Sequence, residues 1–140
     1  MRRQIHIVSH GPHCLDGVAA AVAVARYHEG RADVDARFAG NSEIDAMLQS
    51  FAPAQGRDAE LWITDISWRD PATDRHLRGV VAAGLRIYWI DHHRTALERV
   101  RAGLLDVPFA DRVLSEEFAA SRLVYEYLSA RGDAPTGFAR

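Results

Sequence analysis

Short segments rich in Val, Ile and Trp alternate along this chain with longer segments rich in Ala and Leu, and this alternation constrains the fold more than any other feature. The short segments have the length and β-branched content of strands, whereas the longer ones place apolar residues at helical spacing. Alternating strands and helices form parallel sheets, because each helix carries the chain back to the edge at which the next strand begins. We therefore predict one α/β domain.

The separate elements can be placed from their flanking residues. Strands are predicted at Gln4–Ser9, Val34–Phe38, Glu60–Thr64, Leu85–Ile90 and Leu104–Phe109. Helices are predicted from Leu15 to about His28, from a cap at Asn41 or Ser42 to Phe51, from Pro71 behind an Asp70 cap to near Gly84, and from about Ser115 to Ala130. This order predicts a Rossmann-like three-layer fold with a mainly parallel five-stranded sheet and helices on both faces.

Composition excludes several classes of function. The 140 residues are 48% hydrophobic and 26% charged, as expected for a single globular domain. A net charge of −2 gives no basic field for long nucleic acid, and the absence of lysine excludes a Schiff-base or P-loop lysine. Cys14 is the only cysteine, so no internal disulfide forms. The longest apolar run, Val18–Ala25, is too short to cross a bilayer and no signal peptide is recognisable, so we expect a cytoplasmic protein without membrane contact.

Polar residues follow three of the predicted strands directly. His10 ends the first strand, Asp65 the third, and Asp91-His92-His93 the fourth. Ligands bind beyond the carboxyl ends of the strands in such sheets, so these side chains should converge. Each residue taken singly has a structural explanation, such as capping a strand end or a turn. Together they are the imidazole and carboxylate donors that a Mn²⁺ or Mg²⁺ cluster requires.

Three segments carry a resemblance to a known family. They are Ser9–Gly17 (SHGPHCLDG), Ile63–Ser67 (ITDIS) and Ile90–Ala96 (IDHHRTA). In this order, each at the end of a predicted strand, they resemble the motifs of the DHH phosphoesterase superfamily, named for its Asp-His-His signature. That superfamily includes RecJ-like exonucleases, oligoribonucleases, exopolyphosphatases and manganese pyrophosphatases. The resemblance covers about Gln4–Leu128 and implies that residues 1–140 form an N-terminal DHH domain, the metal-binding catalytic core.

The resemblance implies a centre of two Mn²⁺ ions. His10 and Asp65 would hold one ion, while Asp16, a bridging Asp65 and His92 would hold the other. The implied chemistry is in-line attack on phosphorus by a water that the metal ions activate.

Other residues near the signature take implied roles in substrate binding. His93 would be the catalytic residue that faces the substrate phosphate, and Asp91 would orient the signature through hydrogen bonds. Arg94 follows the signature and is a candidate donor to a substrate phosphate. Trp62 and Trp89 fall inside predicted strands and are expected in the core, whereas Trp68, near Asp65, is either a structural residue or a substrate contact.

Cys14 departs from the family's first motif, in which an aspartate usually stands at that position. Two interpretations stay open. As a thiolate ligand, Cys14 would favour Zn²⁺ or Fe²⁺ over Mn²⁺ at its ion, with Mg²⁺ a further candidate for the centre. Alternatively, Cys14 is a small buried residue at a strand–helix turn, and His13 turns toward the ion instead.

The family's fourth motif is a second point of departure. Its aspartate follows a helix like Ala119–Leu128, about where this sequence stops. Either the chain is a portion of a longer protein, or Asp111 or Glu116 takes the place of that aspartate. The family's C-terminal substrate-binding domain is not recognised in this chain, so we expect weak or absent turnover by these residues alone.

The expected function is that of a metal-dependent phosphohydrolase. Its most plausible reaction is phosphodiester hydrolysis in short oligonucleotides or dinucleotides. The alternative reaction is phosphoanhydride hydrolysis in polyphosphate or pyrophosphate, which uses the same metals. A third interpretation is a non-catalytic module that binds a metal or a nucleotide. Substrate identity, physiological metal and oligomeric state do not follow from the sequence.

Overall fold

A computed structural model describes residues 3–52, 58–103 and 105–131 of the chain. The strands are β1 (Arg3–His10), β2 (Ala32–Ala39), β3 (Ala59–Thr64), β4 (Arg86–Asp91) and β5 (Asp111–Leu114). The helices are α1 (Leu15–His28), α2 (Ile44–Gln49), α3 (Pro71–Ala82), α4 (Arg94–Arg101) and α5 (Ala120–Ala130). None of the helices in this part of the chain is long and apolar enough to cross a membrane.

The five strands form one sheet in the order β2-β1-β3-β4-β5, and every neighbouring pair is parallel. Helices α1 and α5 pack on one face, whereas α2, α3 and α4 pack on the other. The central strand β3 is buried along its whole length, with Leu61 and Ile63 facing one layer and Trp62 facing the other. The predicted three-layer α/β fold is confirmed, with a sheet that is parallel throughout.

The first four strands and the helices α1 and α3 lie where the sequence places them, within two residues at each end. Helix α3 begins as predicted behind Asp70, whose side chain accepts a hydrogen bond from the amide of Ala72 at 2.9 Å. Helix α2 is shorter than predicted and has no side-chain cap from Asn41 or Ser42. Glu43 occupies its N-cap position and accepts a hydrogen bond from the Gly40 amide instead.

The predicted fifth strand at Leu104–Phe109 is wrong. Leu105 and Val107 are apolar because they pack into the core as part of a loop, while Leu104 lies outside the described residues. The actual β5 follows at Asp111–Leu114 and is a partly exposed edge strand, so its sequence lacks an apolar run. The sequence also did not predict α4, a strongly polar helix in which Ala96 is the buried residue.

Candidate metal centre

The parallel sheet brings the polar ends of three strands to one edge. Ser9 of β1 pairs with Thr64 of β3, and Thr64 pairs in turn with Ile90 of β4. The residues that follow, His10, Asp65 and Asp91, therefore lie side by side, as the alternation of elements predicts.

Asp65 is the central residue of this edge. It is 1% exposed, has a left-handed backbone with φ of 59°, and donates its amide hydrogen to the carbonyl of Ile90 at 2.9 Å. Aspartate tolerates this conformation better than most residues. Burial raises the pKa of Asp65, and the charge of Asp16 adds to this effect, while hydrogen bonding from Cys14 and the nearby histidines oppose it.

The first of two potential ligand groups joins β1 to Asp65. Cys14 Sγ lies 3.2 Å from Asp65 Oδ2, and His10 Nδ1 lies 3.8 Å from the same oxygen. His10, Cys14 and Asp65 offer ligand atoms within 4.8 Å of one another. Burial raises the pKa of the Cys14 thiol, and its S–H donates a hydrogen bond to Asp65 Oδ2. His13 is exposed and stands outside this group, so the structure brings together the cysteine and not its neighbour.

The second group joins β4 to Asp65. His92 Nε2 lies 2.9 Å from Asp65 Oδ1 and 3.5 Å from Asp16 Oδ2. Asp91 is fully buried, and its Oδ1 accepts hydrogen bonds from the His92 amide at 2.8 Å and from His93 Nδ1 at 2.7 Å. Hydrogen bonding to Asp91 raises the pKa of His93. Asp65, Asp91, His92 and His93 again offer ligand atoms within 4.8 Å of one another.

Two buried oxygens at this edge lack the hydrogen bonds that buried polar atoms normally have. Asp65 Oδ1 and Asp91 Oδ2 accept none within the described part of the chain. Asp65 Oδ1 accepts no hydrogen bond although His92 Nε2 lies only 2.9 Å from it. Two donor atoms bound at about 2.1 Å and at right angles to one ion lie about 3.0 Å apart. The residues present therefore fit a divalent metal ion, and the cluster could hold one.

Asp16 has a second partner that the sequence does not reveal. Its Oδ2 and Oδ1 accept hydrogen bonds from the backbone amides of Ala120 and Ser121, at 2.9 Å and 2.8 Å, at the N-terminus of α5. Burial alone raises the pKa of Asp16, but the hydrogen bonds from Ser121 and Ala120 outweigh it, so the net pKa is lowered. Helix α5 begins at Ala120 and not near Ser115 because this distant carboxylate caps it.

The other residues that the sequence suggested for the site, Arg94, Asp111 and Trp68, lie at different distances from the cluster. Arg94 is 75% exposed along its side chain, with its Nε 3.4 Å from Glu116 Oε1 at the same edge of the sheet. Asp111 lies at the amino end of β5, where it pairs with Tyr88, and the structure does not bring it to the cluster. Trp68 is a core residue and not a substrate contact, because its ring is fully buried and its Nε1 donates a hydrogen bond to Asp74 Oδ1 at 2.6 Å.

A buried hydroxyl pair behind the ligands was missed by sequence reasoning. Thr64 Oγ1 donates to Ser9 Oγ at 2.7 Å, and Ser9 Oγ donates to the carbonyl of Gly17 at 2.7 Å. These bonds tie the ends of β1 and β3 to the first turn of α1. A Cβ on Gly17 would stand 1.8 Å from the carbonyl oxygen of His10, so the turn requires glycine. The sequence signal for this hydroxyl pair was the position of Ser9 directly before His10 and of Thr64 directly before Asp65.

Comparison with known proteins finds a curated relative and several structural neighbours. The chain is 33% identical over 132 residues to oligoribonuclease NrnB of Bacillus subtilis (strain 168). This match covers 91% of the chain but 31% of NrnB, so the chain spans about a third of that relative's length. A crystal structure of an uncharacterized protein from Helicobacter pylori G27 superposes with a TM-score of 0.68 at 18% identity, over 96% of this chain and 38% of that one. No protein-family model matches the chain.

The structural neighbour bears on the fold, and the curated relative bears on the family relationship. The structural neighbour confirms the α/β fold. The similarity to NrnB supports the DHH-type relationship that the three motifs indicate.

Proposed function

We propose that residues 1–140 are the metal-binding catalytic core of a DHH-type phosphoesterase that hydrolyses phosphodiester bonds in short oligonucleotides or dinucleotides. The observation that carries this proposal is the convergence of imidazole, thiol and carboxylate groups around the buried carboxylate of Asp65, whose Oδ1 accepts no hydrogen bond from the described residues. The name of the relative, an oligoribonuclease, supports the class of substrate.

The proposed ligands form two overlapping sets around Asp65. His10, Cys14 and Asp65 would hold one ion, and Asp16, Asp65 and His92 would hold the other. Mn²⁺ is the proposed metal at the second set, whose donors are carboxylate and imidazole, while the Cys14 sulfur favours Zn²⁺ or Fe²⁺ at the first. When bound, such ions lower the pKa of water and neutralise charge on phosphoryl oxygens.

The chain's own residues would bind and orient the phosphate. The hydrogen bond between His93 Nδ1 and Asp91 fixes the imidazole ring and leaves Nε2 as the edge that meets a phosphoryl oxygen. Arg94, held only loosely near Glu116, has the reach and the paired donors to contact a second oxygen. His93 is therefore the proposed catalytic residue, and Arg94 a proposed substrate contact.

A metal titration tests the centre before any substrate is chosen. The metal-free chain is titrated with Mn²⁺ by calorimetry, beside Asp65→Asn and the control Asp106→Asn, which changes an exposed aspartate that pairs with Arg78. We expect saturable binding by the wild type and the control, and none by Asp65→Asn. Absence of saturable binding by the wild type would contradict the proposed centre.

Hydrolysis of a short RNA dinucleotide tests the reaction. Single-turnover conditions with excess protein are used, because they measure the chemical step separately from substrate binding and product release. We expect Mn²⁺-dependent cleavage that is lost in Asp65→Asn and strongly reduced in His93→Ala. Cleavage of polyphosphate but not of the dinucleotide would favour the phosphoanhydride alternative, and metal binding without either reaction would favour a non-catalytic module.

A further inference from the structure

The loop that follows β3, residues 65–70, carries Asp65. Side chains of β4, α2 and α4 hold it through hydrogen bonds. Trp89 of β4 donates its indole Nε1 hydrogen to the carbonyl of Ile66 at 3.0 Å. The carboxylate of Asp45, on α2, accepts the backbone amide of Asp70 at 2.9 Å. The loop therefore takes its shape from three neighbouring elements, of which the third is α4.

Arg99 of α4 meets two acceptors, one on this loop and one on α3. Its Nη1 donates to the carbonyl of Trp68, and its Nη2 donates to Asp74 Oδ2 at 2.9 Å. Asp74 Oδ1 in turn accepts the indole hydrogen of Trp68 at 2.6 Å. We call Arg99, Asp74 and Trp68 the Arg99 clasp. Its side chains are nearly inaccessible, with 17% exposure for Arg99, 7% for Asp74 and none for the Trp68 residue.

The clasp connects the two halves of the candidate metal centre. Helix α4 begins at Arg94, directly after His92 and His93, whereas Trp68 follows Asp65 by three residues. Ala96 is buried and Val100 packs partly buried against the core, so apolar contacts hold α4 on the sheet, while the hydrogen bonds of Arg99 tie it to the loop and to α3. The 2.9 Å separation of His92 Nε2 and Asp65 Oδ1 therefore depends on a link between the segments behind them.

A buried ion pair is a poor source of net stability, because the cost of desolvating both charges offsets their attraction. A buried ion pair does fix the relative orientation of its groups, because a planar guanidinium that donates to two acceptors is held in one orientation. We infer that Arg99 is a positioning residue, which sets the Asp65 carboxylate against His92 through Trp68 and Asp74. The inference rests on the proposed function only for its effect on metal binding.

The test compares Arg99→Met with Arg86→Met. Arg86 also pairs with a buried carboxylate, that of Glu60, but at the opposite edge of the sheet, so it is the matched control. The first readout needs no metal: it is hydrogen exchange at the Asp65 amide, relative to the amide of Ile7 in the core. We expect Arg99→Met to raise this ratio about tenfold, because the loop opens locally, and Arg86→Met to leave it unchanged.

The second readout is Mn²⁺ affinity by calorimetry. Loss of groups that orient metal ligands weakens binding by about 10- to 100-fold, so we expect at least a tenfold loss in Arg99→Met and none in Arg86→Met. Arg99→Lys should recover part of the loss, since an ammonium group reaches one of the two acceptors. If Arg99→Met does not fold, Asp74→Asn keeps the side-chain volume, weakens the charged hydrogen bond with Arg99 and should raise the exchange ratio in the same direction.

The outcomes separate this inference from the proposed function. Equal exchange ratios and equal Mn²⁺ affinities in Arg99→Met and Arg86→Met would overturn the positioning role and leave the metal centre standing. If the wild type binds no Mn²⁺, the proposed function fails, and the exchange ratio alone decides whether Arg99 positions Asp65.

Discussion

The two edges of the sheet hold buried carboxylates in opposite states. At the amino edge, Glu60 is 1% exposed and both of its oxygens are engaged. Its Oε1 accepts the indole hydrogen of Trp62 at 2.9 Å, and its Oε2 lies 3.0 Å from Arg86 and 3.3 Å from Arg3. At the carboxyl edge, Asp65 is equally buried, yet its Oδ1 has no hydrogen-bond partner among the described residues.

The difference supports the proposal that the carboxyl edge receives a ligand, whereas the amino edge supports the fold. A buried charge is costly unless it is paired, and the amino edge meets that cost within the chain. At the carboxyl edge, part of the cost of burying the Asp65 charge is not offset, because Oδ1 accepts no hydrogen bond among the described residues. Imidazole and thiol groups lie close to the same carboxylate. We expect variants at the two edges to respond differently to an added metal ion.

The largest expected effect is at Gly17, where the carboxyl edge is most tightly packed. Gly17→Ala should destabilise the protein by about 3 kcal/mol, because the new Cβ would stand 1.8 Å from the His10 carbonyl oxygen and the backbone must shift. Urea unfolding measures this loss. Gly79→Ala is the control: it lies in α3 with no atom within 4 Å of the new Cβ, and should stabilise by about 0.5–1 kcal/mol. Equal effects of the two changes would contradict the close approach.

The next effect concerns metal-linked stability. At a free Mn²⁺ concentration of 100 times Kd, the wild type should gain about 2.7 kcal/mol in free energy of unfolding. Asp65→Asn should lose this gain, yet be no less stable than the wild type without metal, because it removes a buried charge whose Oδ1 accepts no hydrogen bond, and asparagine tolerates the left-handed backbone. A large metal-free loss in Asp65→Asn would show that the two edges are alike.

A smaller effect is expected for Glu60 at the amino edge. Glu60→Gln should cost about 2 kcal/mol with or without metal, since it weakens charged hydrogen bonds to a buried group. Chemical unfolding in both conditions measures it. A loss that appears only with metal present would contradict the structural role of this edge.

The pH dependence of stability provides an independent check on Glu60. Burial alone raises the pKa of Glu60, but the His28 ring, the Trp62 hydrogen bond and Arg86 outweigh it, and the net pKa is lowered. A lowered folded-state pKa gives stability that is present above the unfolded value of 4.5 and is lost as the pH falls through the folded-state pKa. Glu60→Gln should therefore flatten the acid limb of the stability curve.

The smallest effect is expected at Asp16. Asp16→Ala should cost about 1 kcal/mol through loss of the α5 cap, close to the cost of Asp70→Ala, which removes the cap of α3. The two variants should differ in Mn²⁺ affinity, which only Asp16→Ala should reduce. Identical Mn²⁺ affinities would remove Asp16 from the proposed ligand set.

Much of the fold was predictable because its signals are local. The apolar run Leu61–Ile63 that became β3 and the Asp70-Pro71 pair that begins α3 each identify an element within a few residues. The convergence of His10, Asp65 and His92 was predictable too, since parallel strands end at one edge. The edge strand β5 could not be predicted, because it has no apolar run of its own. Its strand conformation depends on hydrogen bonds to β4.

The sequence by itself determined the alternation of elements, the strand ends that carry the candidate ligands, and the absence of an internal disulfide. Only the tertiary structure decided which distant groups satisfy one another. Asp16 caps a helix 104 residues along the chain, and Trp68 turns into the core to meet Asp74 and Arg99. Periodicity reports whether a residue is buried, whereas the partner of a buried polar atom depends on how the elements pack.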